Sequence, residues 1–293
     1  MSTLLYPAYP DVFSGISSDP KKARIWVFGV PFDSTTSYRA GSRDGPRFLR
    51  TASQQTEIYD IITGNDVSVD PGFFDLGDMD VVRGDAKATA MRIAEEVENI
   101  LKQKKAPLVL GGEHTISAGS ILGASKVVKV LKVICLDAHA DLRDEYEGSK
   151  YSHACNMRRV TEAVGEENLL EIGIREVSQE EVELFRKNIV FRHECRDVEK
   201  TKKRIMEFAK DANVYISLDI DVLDSSIVPG TGTPQPDGLN YHEAYEFLSS
   251  LASAKRIIGI DVAEVAPLPG NVITEVAAIK LLFQSISALR KKI

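Results

Sequence analysis

Three short stretches concentrate acids and histidines at spacings that could do chemistry. In "CLDAHADLRDEYE" (135–147), just after the apolar run "VLKVI", Asp137, His139 and Asp141 occupy alternate positions. "YISLDID" does the same with Asp219 and Asp221, and "PLVLGGEH" ends in His114. A fourth stretch, "IIGIDVAE", adds Asp261 and Glu264. Residues at i, i+2 and i+4 of an extended chain face one way, so Asp137, His139 and Asp141 point together, as do Asp219 and Asp221. If these strand ends are neighbours, two imidazoles and four carboxylates converge. Clustered carboxylates repel strongly in a low-dielectric cleft. Two divalent cations would cancel the four charges and leave the histidines neutral as ligands. Oxygen donors, two imidazoles and no thiolate favour manganese over zinc. A single strand-end Asp is ordinarily a cap or turn residue, and a lone His ordinarily packs or hydrogen-bonds. The metal reading therefore rests on the dense D-x-H-x-D and D-x-D patterns together.

Something must hold those strand ends side by side. Eight short apolar runs read as strands: 23–30, 72–76, 107–110, 131–136, 168–174, 188–192, 213–220 and 256–261. Amphipathic stretches read as helices at 85–104, 178–188, 196–212, 240–252 and 271–292, with a further helix beginning near Asn156. Several strands are continuously apolar, as in a parallel sheet covered on both faces. The β-α-β-α alternation predicts an α/β protein, a three-layer α/β/α domain with right-handed crossovers. Ligands of such sheets bind beyond the carboxyl ends of the strands, where these acids and histidines fall. No linker or repeat interrupts the chain, so residues 1–293 are read as one domain.

Composition narrows the class. The chain is 43% hydrophobic and 27% charged with a formal charge of −7, which excludes a nucleic-acid partner held by a basic surface. The three cysteines, Cys135, Cys155 and Cys195, form no CxxC pair and fit a reducing cytoplasm. "MSTLLYPAYPDVFSG" lacks the basic and apolar regions of a signal peptide, and no apolar run is long enough to span a membrane.

The segments "GGEHTIS", "LDAHADLRDEYEG", "YSHACNMRR", "SLDIDVLDSSIVPGTGTPQPDGL" and "DVAEVAP" resemble the ureohydrolases, the arginase and agmatinase family. "GVPFDSTTSYRAGSRDGPRFLR" (29–50) is similar to that family's N-terminal signature, and the matches run in family order from Gly29 to Pro267. The resemblance implies the arginase-type fold with a central parallel eight-stranded sheet. It implies two Mn²⁺ per subunit, with His114, Asp137, Asp141 and Asp221 at one and Asp137, His139, Asp219 and Asp221 at the other and at the bridging positions. It also implies a homotrimer or homohexamer.

A guanidinium carbon is a poor electrophile, and a water shared by two metals would be acidic enough to attack it at neutral pH. Asp141 would hydrogen-bond that water and take its proton. By the resemblance, His153 would shuttle a proton to the departing amine and Glu264 would orient the guanidinium by charge-assisted hydrogen bonds. Asp261, nearer the strand interior, reads as structural. His193, Cys195 and His242 lack partners in the sequence, and Cys155 has no orienting acid. "PGTGTPQPDG" (229–238) lacks the G-K-[ST] ending of a phosphate loop and reads as a rigid wall. Arg47 and Arg175 read as subunit contacts or structural residues.

The loop after the D-x-H-x-D motif is acidic rather than asparagine- and serine-rich, and looks like that of bacterial and archaeal agmatinases. Asp144, Glu145 and Glu147 would complement the ammonium of agmatine, which would yield putrescine and urea. Three departures bear on substrate choice: Ala154-Cys155-Asn156 where many members read G-T-P, Ser225 after Asp224, and Asp237 within the usual P-G-G. Aminopropylagmatine, guanidinobutyrate and arginine are the alternative substrates. Metal-dependent deacetylases share the fold, but this chain has no His-His pair. A non-catalytic metal-binding scaffold would be expected to have lost some of the eight chemical residues, and none is missing.

Overall fold

The computed structural model describes residues 12–16 and 19–293. The opening residues 1–11, on which the leader reading mostly falls, lie outside them. The strands are β1 (Ile25–Gly29), β2 (Tyr59–Asp60), β3 (Asn65–Asp66), β4 (Phe73–Asp78), β5 (Ala106–Leu110), β6 (Leu131–Leu136), β7 (Leu169–Ile174), β8 (Ile189–Phe191), β9 (Asn213–Asp219) and β10 (Arg256–Ala263). The α-helices are α1 (Gly45–Ser53), α2 (Ala86–Lys102), α3 (Thr115–Val127), α4 (Asn156–Val164), α5 (Gln179–Phe185), α6 (Arg192–Cys195), α7 (Val198–Ala209), α8 (Tyr241–Ser249) and α9 (Ile273–Leu289).

Eight strands form one sheet in the order β4-β1-β5-β10-β9-β6-β7-β8, and every neighbouring pair is parallel. All eight strands expected from the sequence are present. The pair β2/β3 is a separate antiparallel hairpin, too short to leave a pattern in the sequence.

Alternation along the strands explains the two covering layers. Ile134 and Leu136 of β6, with Ile216 and Leu218 of β9, bury against α1, α7, α8 and α9. Val133, Cys135 and Tyr215 point the other way, into the layer built by α2, α3 and α4. Each fully buried aliphatic side chain contributes roughly 1.5–3 kcal/mol, so the two cores fix how far each strand end projects. An internal ion pair pins the sheet edge: Arg50 of α1 is buried and reaches both Asp75, at 2.8 Å, and Asp78 of β4.

Helices α1 and α3 were not expected from the sequence. Helix α3, "TISAGSILGASKV", is buried on nearly every side. Its Gly119 and Gly123 let it press on α2, where a Cβ would stand 2.5 Å from the Ala90 carbonyl and 2.3 Å from that of Ala94. Helix α1 begins with Gly45-Pro46 inside a stretch rich in turn residues, although proline suits a first helical turn. Among the described residues, no helix is long and apolar enough to cross a membrane.

The consequence for the site is the order β5-β10-β9-β6 at the sheet centre. Four adjacent strand ends deliver His114, Glu264, the Asp219/Asp221 pair and the Asp137/His139/Asp141 trio to one place.

Candidate active site

His114 follows β5 through Gly111-Gly112-Glu113. Gly112 passes so close to the β1 loop that a Cβ would lie 1.9 Å from the Phe32 carbonyl. Glu113 N–H donates to that same carbonyl at 2.8 Å. The His114 N–H donates to Glu264 Oε1 at 2.7 Å, tying β5 to β10 at the site. Its Nδ1 faces three carboxylate oxygens: Asp137 Oδ2 at 2.9 Å, Asp141 Oδ2 at 3.0 Å and Asp219 Oδ2 at 3.4 Å. Behind the ring, Nε2 lies 3.0 Å from Ser217 Oγ, whose hydroxyl donates to Asp261 Oδ1 at 2.9 Å. A hydroxyl that gives its hydrogen to a carboxylate can only accept from the imidazole. Nε2 therefore carries a hydrogen, and Nδ1 is the nitrogen that faces the carboxylates.

His139 faces the second half of the cluster. Its Nδ1 lies 3.0 Å from Asp221 Oδ2 and 3.7 Å from Asp137 Oδ1. Backbone donors fix the acids: Ala138 N–H donates to Asp221 Oδ1 at 3.1 Å, His139 N–H to Asp137 Oδ1 at 2.7 Å, and Asp221 N–H to Asp219 Oδ1 at 3.0 Å. All four aspartates are buried. Asp137 faces both imidazoles, Asp141 and Asp219 stand with His114, and Asp221 stands with His139. The resemblance implied Asp221 at both metals and Asp219 with His139 or bridging; in the structure Asp219 Oδ2 lies 3.4 Å from His114 Nδ1, and Asp221, in the Ile220–Val222 3₁₀ turn that follows β9, lies 3.0 Å from His139 Nδ1.

These donors fit cations. One imidazole hydrogen can satisfy only one of three surrounding carboxylates, so the remaining oxygens face one another uncompensated. The protonation of the bare cluster follows. For His114 and His139 burial opposes charge, but the neighbouring aspartates outweigh it: His114 is raised well above the ordinary value and His139 to about 12. Burial, with Asp137 nearby, pushes Asp141 up to about 6. Burial and the charges of Asp221 and Asp137 push Asp219 well up. In effect, protons stand where cations would. Asp141 and Glu264 also hold left-handed backbones, at φ 53° and 61°, a conformation costing a non-glycine residue roughly 1–2 kcal/mol. Such strain persists only where the surroundings impose it.

The cluster floors a cavity of about 240 Å³. Its walls include Ser37, Tyr146, His153, Glu176, Thr233 and Glu264. Glu264 is buried, and burial followed by the charge of Glu113 raises its carboxyl well above the usual range. His153 opens the His153–Cys155 turn before α4, and no side-chain cap bond forms there. Its ring instead faces the cavity, where burial lowers its pKa to about 4.

The acidic loop is placed differently from the sequence expectation. Asp144, Glu145 and Glu147 are exposed and none is among the cavity walls. Asp144 is engaged by Arg159 at 2.8 Å and Lys150 at 2.9 Å, which hold it down to about 2. Besides Glu264 and the floor aspartates, the acids that line the cavity are Glu176 and Glu181, both missed. Glu181 is occupied, accepting from Leu142 N–H and from Ser178 in a capping box. Glu176 presents an exposed carboxylate, brought to the site by a parallel bridge with His139. An acid two residues beyond strand β7 is the same kind of signal that marked β6 and β9.

Other candidates fall outside the cavity. Asp261 accepts from Ser117 and Ser217 inside the core, as a structural residue would. His193 stacks on Phe191, His242 is exposed, and burial pushes the Cys155 and Cys195 thiols up to about 12. Arg175 makes an internal clamp, donating to the carbonyls of Asp221 at 2.7 Å, Pro236 at 2.9 Å and Gln235 at 3.1 Å. Those bonds hold the 229–238 wall, whose Thr233 lines the cavity. Arg47 is exposed on α1.

Residues 23–287 match the sequence profile of the Arginase family. The chain is 40% identical over 275 residues to an N(1)-aminopropylagmatine ureohydrolase of Thermococcus kodakarensis, covering 93% of each chain. It is 35% identical to an agmatinase of Halalkalibacterium halodurans, covering 87% of this chain and 88% of the relative. Among solved structures it superposes on the agmatine ureohydrolase of Thermoplasma volcanium with a TM-score of 0.86 at 34% identity, covering 97% of this chain and 94% of that one. It also superposes on a proclavaminate amidino hydrolase of Streptomyces clavuligerus with a TM-score of 0.89 at 28% identity, covering 96% and 97%.

Proposed function

This chain belongs to the arginase family and is a ureohydrolase, and on that premise we propose that its substrate is a cationic guanidino amine of the agmatine class. Agmatine itself is the first choice, giving putrescine and urea. The observation that carries the choice is Glu176, an exposed carboxylate on the cavity wall with the six-residue donor cluster at the floor. A guanidinium seated at the floor leaves its far ammonium facing Glu176. Asp144, already paired with Arg159 and Lys150, and its neighbours Glu145 and Glu147 then act only through the field at the rim.

His114, Asp137, Asp141 and Asp219 would hold one Mn²⁺; Asp137, His139 and Asp221 would hold the other. When bound, the pair supplies an acidified water and positive charge against the developing oxyanion. The chain's own groups do the rest. Glu264 accepts guanidinium N–H groups, and the arriving cation favours its ionised form. Asp141 orients the attacking water and accepts its proton. His153, neutral at pH 7, takes up a proton and delivers it to the amine nitrogen as the C–N bond breaks. Water oxygen becomes the carbonyl oxygen of urea, both water protons, by way of Asp141 and His153, end on the amine nitrogen, and the electron pair of the broken bond leaves with that ammonium.

In this reading residues 1–293 act as one catalytic domain in the cytoplasm, assembled as a homotrimer or homohexamer. A second substrate, aminopropylagmatine, is favoured by the Thermococcus kodakarensis relative. Urea release from agmatine, aminopropylagmatine, guanidinobutyrate and arginine, with manganese-loaded and chelated protein, tests the reading. Metal-dependent urea from the first two and little from the last two is expected. Arginine as the preferred substrate would overturn it.

A further inference from the structure

Glu113 and Thr35 have no part in the chemistry so far, yet both stand behind His153. Glu113 is fully buried, and its carboxylate only accepts. Oε1 receives the Thr35 hydroxyl at 2.6 Å and the Thr115 hydroxyl at 2.9 Å, and Oε2 receives the Thr35 N–H at 2.8 Å. The Thr35 hydroxyl has thus spent its single hydrogen on Glu113. Its oxygen can only accept, and it does so from the His153 N–H at 3.0 Å. The other neighbour of that oxygen is His153 Nδ1, at 3.4 Å.

We propose that Glu113 and Thr35 are positioning residues that set the His153 tautomer, keeping hydrogen on Nδ1 and the Nε2 lone pair toward the cavity. The inference rests on His153 being the proton carrier of the proposed reaction. An acceptor-only oxygen behind Nδ1 selects the Nδ1–H form, because the opposite form would set two lone pairs against each other. Nε2, with Ser37 Oγ at 3.3 Å, is then the nitrogen able to take up and release a proton at the cavity. The arrangement mirrors the one behind His114. There, Ser217 and Asp261 fix the hydrogen on Nε2 and leave Nδ1 facing the carboxylates. Two imidazoles thus meet one cavity with a hydrogen fixed on opposite nitrogens, each set by a hydroxyl backed by a buried carboxylate.

Ser152 Oγ also lies 3.4 Å from His153 Nδ1 and competes. Were its hydroxyl to donate there, the hydrogen would sit on Nε2. The ring nitrogen resonances of ¹⁵N-histidine decide between the two in the full-length, chelator-treated chain, with His153→Asn identifying the signal. We expect Nδ1 protonated in the native chain and displaced toward the other tautomer in Thr35→Val. In the manganese-loaded enzyme, Thr35→Val should lower kcat about tenfold or more, with KM and manganese affinity held, and Thr35→Ser should restore both the resonances and kcat. A bare Nδ1 in the native chain would overturn the proposal. So would a Thr35→Val enzyme that loses kcat with its tautomer unchanged, or that changes neither. The resonances need no substrate, so they decide this inference even if no guanidino compound is hydrolysed.

Discussion

The floor of the cavity and its mouth are both acidic, but they are built by opposite means. At the floor, Asp137, Asp141, Asp219 and Asp221 are buried and projected by the adjacent strands β6 and β9, and backbone N–H donors hold Asp137, Asp219 and Asp221. At the mouth, Asp144, Glu145 and Glu147 sit on an exposed loop, and Asp144 is satisfied by its own neighbours. Acids at the floor lack enough protons to pair with and call for cations; an acid at the mouth already has its counter-ions. Charge alone therefore says little about a role, and what decides it is whether the compensating charge comes from within the chain.

The sharpest way to break this contrast is at the floor. Asp137→Asn removes the acid that faces both imidazoles, and should cost more activity than the roughly 100-fold typical of losing a supporting partner. Bound manganese, counted by metal analysis, should fall with it; full metal content and full activity would show that the cluster is no metal centre. Next is Glu264→Gln. Truncating a buried, hydrogen-bonded charge partner costs roughly 2–5 kcal/mol, so kcat/KM should fall about thirty-fold or more while metal content stays.

Ser217→Ala leaves every ligand in place but frees the His114 ring. Manganese affinity measured by titration calorimetry should drop roughly 10–100-fold. The same calorimeter, run in buffers of different ionisation enthalpy, should show protons released on manganese binding, because His114 and His139 hold theirs in the bare cluster. The sign for stability follows. His139 is raised to about 12, so its contribution is complete below its unfolded value near 6.5 and fades as pH climbs toward 12. The raised carboxyls of Asp219 and Glu264 act in the same direction. Chelated protein should therefore lose Tm from pH 6 to pH 9 more steeply than loaded protein.

The smallest effects belong to the mouth. Glu176→Gln should raise KM for agmatine a few-fold with kcat unchanged, as suits an exposed pair worth roughly 0.2–1 kcal/mol. Asp144→Asn should leave KM alone. The reverse ranking would return the amine to the 144–147 loop.

The same contrast explains what could be read in advance. Strand ends were legible because period-two spacing carries straight from the chain into space, so Asp137, His139 and Asp141 announced their shared direction, and neighbouring ends needed only the parallel sheet. The grouping of Asp219 with His114 and of Asp221 with His139 was not legible, since strand spacing stops at β9 and Asp221 lies in the Ile220–Val222 turn beyond it. Glu176 left the same strand-end signal after β7, but its place on the cavity wall depends on a bridge between His139 and Glu176 that spacing does not show. Helix α3 escaped because a helix buried all round has no polar face to give it a period. Ser217, a small polar residue two before Asp219 in an apolar strand, did leave a signal: period two puts it on the same face as Asp219.

The strand order also has a temporal meaning. β9 and β10 are made after the other six strands of the sheet, yet they wedge between β5 and β6, which are synthesised long before them. A growing chain that has folded β1 to β8 therefore holds His114 and Asp137 on strands with an unfilled gap of two strands between them. Such long-range closure is slow and leaves edges open to wrong partners. A half-made site of this kind cannot gather its carboxylates, and the cluster is complete only when β9 and β10 slide into the gap.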